Sequence, residues 1–159
     1  MLRQLVSTRR TALGLLGTTI GLALAVRSSS AHQTDPVNPI PQPEATDPEF
    51  LIARAFEMRN LAVTEGDQAY GALIATADGV IVGQTPSRVV TRGDPTAHAE
   101  MEAIRDAARR LGTRNLRGYV IYSSSHPCPM CEAAAYWAGI ERMVHGRNAA
   151  DAGAPKLCG

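Results

Sequence analysis

From residue 50 onward, apolar and polar positions alternate between two periodicities. Residues 50–63 (FLIARAFEMRNLAV) space their apolar side chains three and four apart, which predicts a helix. Two short apolar runs, 72–77 and 80–83, flank Asp78-Gly79 and predict a pair of strands joined by a tight turn. Helical spacing returns over 98–111, a strand is expected over 119–123 (YVIYS), a helix over 128–138 and a strand over 142–145. The order α-β-β-α-β-α-β predicts an α/β domain with helices packed on a mixed sheet. No internal repeat interrupts it.

Ahead of this domain the pattern changes character. Arg9 and Arg10 precede an apolar stretch over 12–26, and Ser29-Ser30-Ala31 follows it. The stretch is too short and too rich in Gly and Thr for a membrane span. Residues 1–31 therefore read as a cleavable export signal of the twin-arginine type, which places the protein in the periplasm or outside the cell. A general secretory signal or an uncleaved anchor is the alternative. Residues 32–48 hold five prolines and no apolar periodicity, and are expected to be an extended linker. The folded domain is then 49–159, with a short C-terminal part.

Charge sharpens the division. The formal net charge of +1 conceals four arginines and no acid within residues 1–31, which leaves 12 basic residues against 15 acidic ones beyond it, a net −3. A slightly acidic domain lacks the basic footprint that phosphate backbones require, so a long nucleic acid is not the expected partner. With 45% hydrophobic and 19% charged residues the chain is ordinary for a packed globular protein.

Three cysteines, Cys128, Cys131 and Cys158, do not describe a disulfide framework. Cys128 and Cys131 are spaced to share the first turn of a helix, where the partial positive charge of the helix start favours thiolates. His98 opens the preceding predicted helix and supplies a nitrogen ligand. If parallel strands deliver both helix starts to one carboxyl edge, the three side chains converge. Two thiolates and an imidazole suit Zn²⁺, and three protein ligands leave a fourth position for water. Glu100, two residues from His98, is the candidate acid/base: its carboxylate can take a proton from that water and return it to a departing amine.

The pattern H-x-E…P-C-x-x-C is the signature of zinc nucleobase deaminases. The segment from Tyr70 to about Gly146 resembles the cytidine and deoxycytidylate deaminase superfamily, with its nearest likeness to guanine deaminases and tRNA adenosine deaminases. Tyr70-Gly71-Ala72, the block Asp94 to Glu100, Pro127 to Cys131 and Tyr136-Trp137-Ala138 carry that resemblance. It implies a three-layer α/β/α fold around a mixed sheet. It also implies hydrolytic removal of an exocyclic amine from a small nucleobase or nucleoside, with Zn²⁺ on His98, Cys128 and Cys131, proton transfer by Glu100, and a homodimer. Ser87, Arg88, Ala99, Tyr136 and Trp137 are the candidate substrate contacts. Where relatives carry an Asn after the second strand, this chain has Gln84 to Arg88 without one, and His126 stands where a Glu is common.

Other readings of the same residues stay open at this stage. Cys128-x-x-Cys131 also suits a redox dithiol or, in an exported protein, a disulfide. A fourth ligand from His126 or Cys158 would turn the centre into a closed structural zinc site.

Overall fold

Along the central strands, alternate residues feed two separate cores, and this places helices on both faces of the sheet. The structure, a computed structural model, describes residues 38–157. The expected export signal, the first residues of the expected linker and Cys158 lie outside that range.

The elements are α1 (Pro48–Thr64), β1 (Gly71–Thr76), β2 (Ile81–Pro86), α2 (Val89–Arg92), α3 (Ala99–Leu111), β3 (Tyr119–Ser123), α4 (Pro129–Ala138), β4 (Arg142–His145) and β5 (Ala150–Gly153). The strands form one sheet in the order β2-β1-β3-β4-β5. Only β3 and β4 pair in parallel, and the other neighbours are antiparallel. Ala72, Ile74, Ile121 and Met143 pack with Ala99, Ala103, Ala107 and Ala135 of α3 and α4. Their neighbours Leu73, Ala75, Tyr122 and Val144 pack with Leu51 and Ile52 of α1 on the other face. The expected α/β/α layering with a mixed sheet is thus the observed fold.

Two glycines set how closely the layers approach. A Cβ on Gly83 would lie 2.6 Å from the Ala107 nitrogen and 2.9 Å from the Ala103 oxygen, so α3 rests directly on β2. On the opposite face a Cβ on Gly71 would lie 2.2 Å from the Arg59 nitrogen of α1. The alanine stripe 99-103-107 of α3, one residue per turn, is the complement of Gly83. Beside it the buried acids Glu102 and Asp106 hold the helix in place. Glu102 pairs with Arg92 and Arg105, while Asp106 takes Arg109, Arg110 and the Gln84 amide.

Three features differ from the sequence expectations. Residues 38–47 form neither helix nor strand, and they dock on the domain. The Gln42 side chain donates to the Ile81 carbonyl at 3.0 Å and accepts from the Ile81 amide at 2.8 Å, covering backbone of the edge strand β2. The one-turn helix α2 and the final strand β5 were not anticipated. Asp67 organises α2, accepting from the Val90 and Thr91 amides at 3.0 and 2.8 Å and from the Thr91 hydroxyl at 2.8 Å. Burial alone would raise its carboxyl, but these bonds, the Ser87 hydroxyl and the Gln68 amide together hold it well below the usual carboxylate range.

Candidate metal centre

Register decides where the two helix starts meet. Gly71 pairs with Pro86 at the end of β2, and Ala72 pairs with Ser123 at the end of β3. Both strands run antiparallel to β1, so they run parallel to each other and finish at one edge. The chain leaves that edge towards α3 and α4. His98 is the N-cap of α3 and Cys128 the N-cap of α4, each in extended backbone conformation. Pro129 occupies the first helical position of α4, where its missing amide costs nothing. Cys131 lies on the same first turn and is buried.

The three donor atoms form a nearly equilateral triangle. His98 Nδ1 is 3.7 Å from Cys128 Sγ and 3.7 Å from Cys131 Sγ, and the two sulfurs are 3.6 Å apart. A tetrahedral zinc with bonds of about 2.3 Å to sulfur and 2.0–2.1 Å to nitrogen spans roughly 3.8 Å between sulfurs and roughly 3.6 Å from sulfur to nitrogen. The triangle fits that ion. The sulfurs are far beyond the ~2.05 Å of a disulfide, and both cysteines are free thiols. Among the described residues, these three side chains are the group of histidine, cysteine and acidic residues able to hold a metal.

Glu100 stands beside the triangle, buried with 4% of its surface exposed. Burial pushes its carboxyl up from the ordinary value. Its own backbone amide, the charge of His98 and a hydrogen bond with Cys131 act in the opposite direction. Burial likewise pushes the Cys131 thiol up, and Glu100 and Cys128 push it further. Two sulfurs and a carboxylate in one sheltered site are therefore mutually unfavourable without a cation, and a divalent ion supplies the missing counter-charge.

The remaining candidates are scattered. Ser87 is fully buried, and its hydroxyl has no partner at ordinary hydrogen-bond distance. It is near enough to Asp67 to help hold that carboxyl down. The Arg88 guanidinium is taken by Glu65, which ties the end of α1 to the segment after β2. The Ala99 side chain is in the core, and its carbonyl accepts the Thr85 hydroxyl at 3.0 Å. Tyr136 and Trp137 are not at the metal triangle of this chain, nor in its core. They sit on the last turn of α4, 44% and 75% exposed, in a separate cleft with Arg114 and Arg117. That cleft is at the edge where β3 begins, opposite the edge where it ends near Cys128.

His126 does not join the triangle. Its Nδ1 donates to the Pro127 carbonyl at 2.8 Å, and its ring meets His145 edge-on with centroids 4.6 Å apart. The closed four-ligand site with His126 is not what the geometry builds. The role of Asp67 went unnoticed in the sequence, because an acid in a Gly-Asp-Gln turn carries no signal of its distant partners.

The span that matches a known family contains His98, Glu100, Cys128 and Cys131. The profile of the cytidine and deoxycytidylate deaminase zinc-binding region matches residues 45–147. The guanine deaminase of Bacillus subtilis (strain 168) is 42% identical over 105 residues, which cover 65% of this chain and 67% of that protein. The tRNA-specific adenosine deaminase of Aquifex aeolicus (strain VF5) is 36% identical over 96 residues, 60% of this chain and 63% of that protein. An X-ray structure of the Bacillus subtilis guanine deaminase aligns with a TM-score of 0.59 at 38% identity, covering 62% of each chain. The chain thus spans about two thirds of the length of these relatives.

Proposed function

Because this chain belongs to the cytidine and deoxycytidylate deaminase zinc-binding family, we propose that it removes an exocyclic amine from a nucleobase or nucleoside by hydrolysis, releasing ammonia. The observation that carries this reading is the buried carboxylate of Glu100 beside the triangle of His98, Cys128 and Cys131. When bound there, zinc supplies a Lewis acid that lowers the pKa of water from about 15.7 towards ~7.

The protein's own groups do the rest. His98, Cys128 and Cys131 hold the ion from two helix starts whose backbones are braced by the sheet. Glu100 would take one proton from the attacking water and give it to a ring nitrogen, then carry the second, from the hydroxyl added to the ring carbon, to the amine that leaves as ammonia. Its burial suits both tasks, since a carboxyl raised above its ordinary value holds a proton more readily and can serve as acid as well as base.

Free bases and nucleosides of the guanine, adenine or cytosine type are the proposed substrates. The acidic domain charge supports a small substrate over a long nucleic acid, and the guanine deaminase relative supports a purine. Export through the signal expected at residues 1–31 and assembly as a homodimer belong to the same proposal. No helix among the described residues is long and apolar enough to cross a membrane. The redox alternative has no use for a histidine nitrogen equidistant from the two sulfurs or for the carboxylate next to them.

The test is ammonia release from guanine, adenosine, cytosine and cytidine by purified protein of measured zinc content. Turnover of at least one substrate, lost in Glu100→Gln with zinc retained, is the expected result. Absence of turnover on all four by zinc-loaded protein overturns the substrate class.

A further inference from the structure

We propose that Asp67 is a positioning residue for the metal centre: it anchors the loop 87–97 to the connection that follows α1 and, through that loop, fixes where the His98 imidazole stands. The inference rests on the reading that His98, Cys128 and Cys131 hold a metal ion.

The histidine needs such an anchor. Ligating imidazoles are ordinarily oriented by a hydrogen bond at their second ring nitrogen. Among the described residues, His98 bonds through Nδ1 to the two sulfurs and through Nε2 to nothing, and its side chain does not cap α3. The ring direction is therefore inherited from the backbone at residues 97 and 98. The cysteines are placed differently. Four residues before Cys128, the Ser124 amide donates to the Gly71 carbonyl at 2.9 Å and the Ser124 hydroxyl accepts from the Gly71 amide at 3.1 Å. Bonds to β1 thus brace the start of α4.

The backbone before His98 is a loop whose one regular element is α2. Its neck closes next to the ligand, where the Arg88 amide donates to the Ala97 carbonyl at 2.9 Å, and Ala97 is fully buried. Within it the Asp94 amide donates to the Val89 carbonyl at 3.1 Å and the Ala97 amide to the Asp94 carbonyl at 3.0 Å. These bonds make the loop one unit, so what holds α2 also holds Ala97. Three acidic side chains grip that unit from outside. Glu65 takes Arg88 and Glu102 takes Arg92, but both pairs are partly open to water, which weakens them. Asp67 is buried, and its Oδ2 accepts three bonds, from the Val90 and Thr91 amides and the Thr91 hydroxyl. Its Oδ1 accepts the Gln68 amide at 2.7 Å, which fixes the carboxylate from its own side. An asparagine cannot serve both sides, since every partner is a donor and its NH2 would face one of them.

The experiment replaces zinc by cobalt in the full-length protein and reads two absorption features. The sulfur-to-cobalt charge-transfer band reports the cysteines, and the visible d–d bands report the whole ligand set. Zinc affinity is measured alongside, by competition with a chromophoric chelator. Asp67→Ala is expected to bind zinc at least roughly tenfold more weakly. Its d–d bands should shift while the charge-transfer band keeps its intensity, because the nitrogen moves and the sulfurs do not. Asp67→Asn, which keeps one acceptor oxygen, should lie between Asp67→Ala and wild type. Ile52→Ala, in the core on the α1 side, controls for lost stability. It should lower the urea midpoint and leave zinc affinity and both features unchanged. Wild-type affinity and d–d bands in Asp67→Ala overturn the proposal, as does an equal change in Ile52→Ala. If Asp67→Ala does not fold, Asp67→Asn decides, and wild-type behaviour there overturns the proposal. A wild-type protein without the charge-transfer band overturns the metal reading itself and the proposal with it, so the two failures are told apart.

Discussion

His98 Nδ1 lies 3.7 Å from Cys131 Sγ although 33 positions separate the two residues in the chain. The contact is made by two helix N-termini brought to one sheet edge, with β1 between the strands that deliver them. Each ligand is tied to backbone through the first turn of its own helix. The Glu102 amide donates to the His98 carbonyl and the Glu132 amide to the Cys128 carbonyl, both at 2.9 Å. The site is therefore part of the scaffold, and metal and fold should stand or fall together.

The first expectation follows directly. Purified protein should carry about one zinc per chain, and Cys131→Ser or His98→Ala should lose most of it. Stripping the ion with a chelator should lower the thermal midpoint on the order of 10 °C, since a bound ion stabilises the folded state by mass action. Metal analysis alongside differential scanning calorimetry checks this. A metal-free preparation whose two thiols cycle through a disulfide would instead support a redox protein.

Glu100 should be dispensable for binding the ion but not for turnover. Glu100→Gln keeps the shape and removes the proton carrier, so kcat should fall by roughly 10²–10⁴ with zinc content unchanged. Steady-state ammonia release and metal analysis on the same sample measure both quantities. Near-normal kcat in this variant would reassign the proton transfer to another group.

Asp67 should make stability depend on acid. Its folded carboxyl is held below the usual value, so the unfolded chain binds the proton more readily. The stabilisation is present above the ordinary carboxylate pKa, near 4, and is lost as pH falls below it. Asp67→Asn should destabilise the protein by about 2 kcal/mol at neutral pH, with a difference that shrinks in acid. Urea unfolding of both proteins across the acid range reads the slope. A gap that stays constant with pH would show that the carboxylate charge has no part in anchoring α2.

Gly83→Ala tests the seating of α3. The added methyl would meet backbone atoms at 2.6 and 2.9 Å rather than a movable side chain, so the helix must shift. A loss of about 1–3 kcal/mol is expected, together with weaker zinc binding because His98 caps the displaced helix. Urea midpoints and zinc affinity, measured together, check the pair. Unchanged stability would mean that α3 has slack against β2.

Much of this was legible in the chain before any coordinates. The strands 119–123 and 142–145 fall where their apolar runs predicted, and the helices expected to open at His98 and Cys128 open one residue later, with those residues as caps. Period and caps are local properties, and a backbone hydrogen-bonding to itself obeys them. The short elements escaped for the opposite reason. Four residues of α2 and four of β5 bear no period, and they exist because Asp67 holds one and β4 pairs with the other.

What the sequence determined alone was the donor set, its chemistry and the class of scaffold, because residue type and spacing carry them. Only the tertiary structure decided which candidates share a site. It placed Ser87 in the interior, gave Arg88 to Glu65, and left Tyr136 and Trp137 at the far end of the helix that begins with Cys128. Helical spacing says which residues share a face. It does not say which end of that face the rest of the chain leaves open, and packing settles that from many distant positions at once.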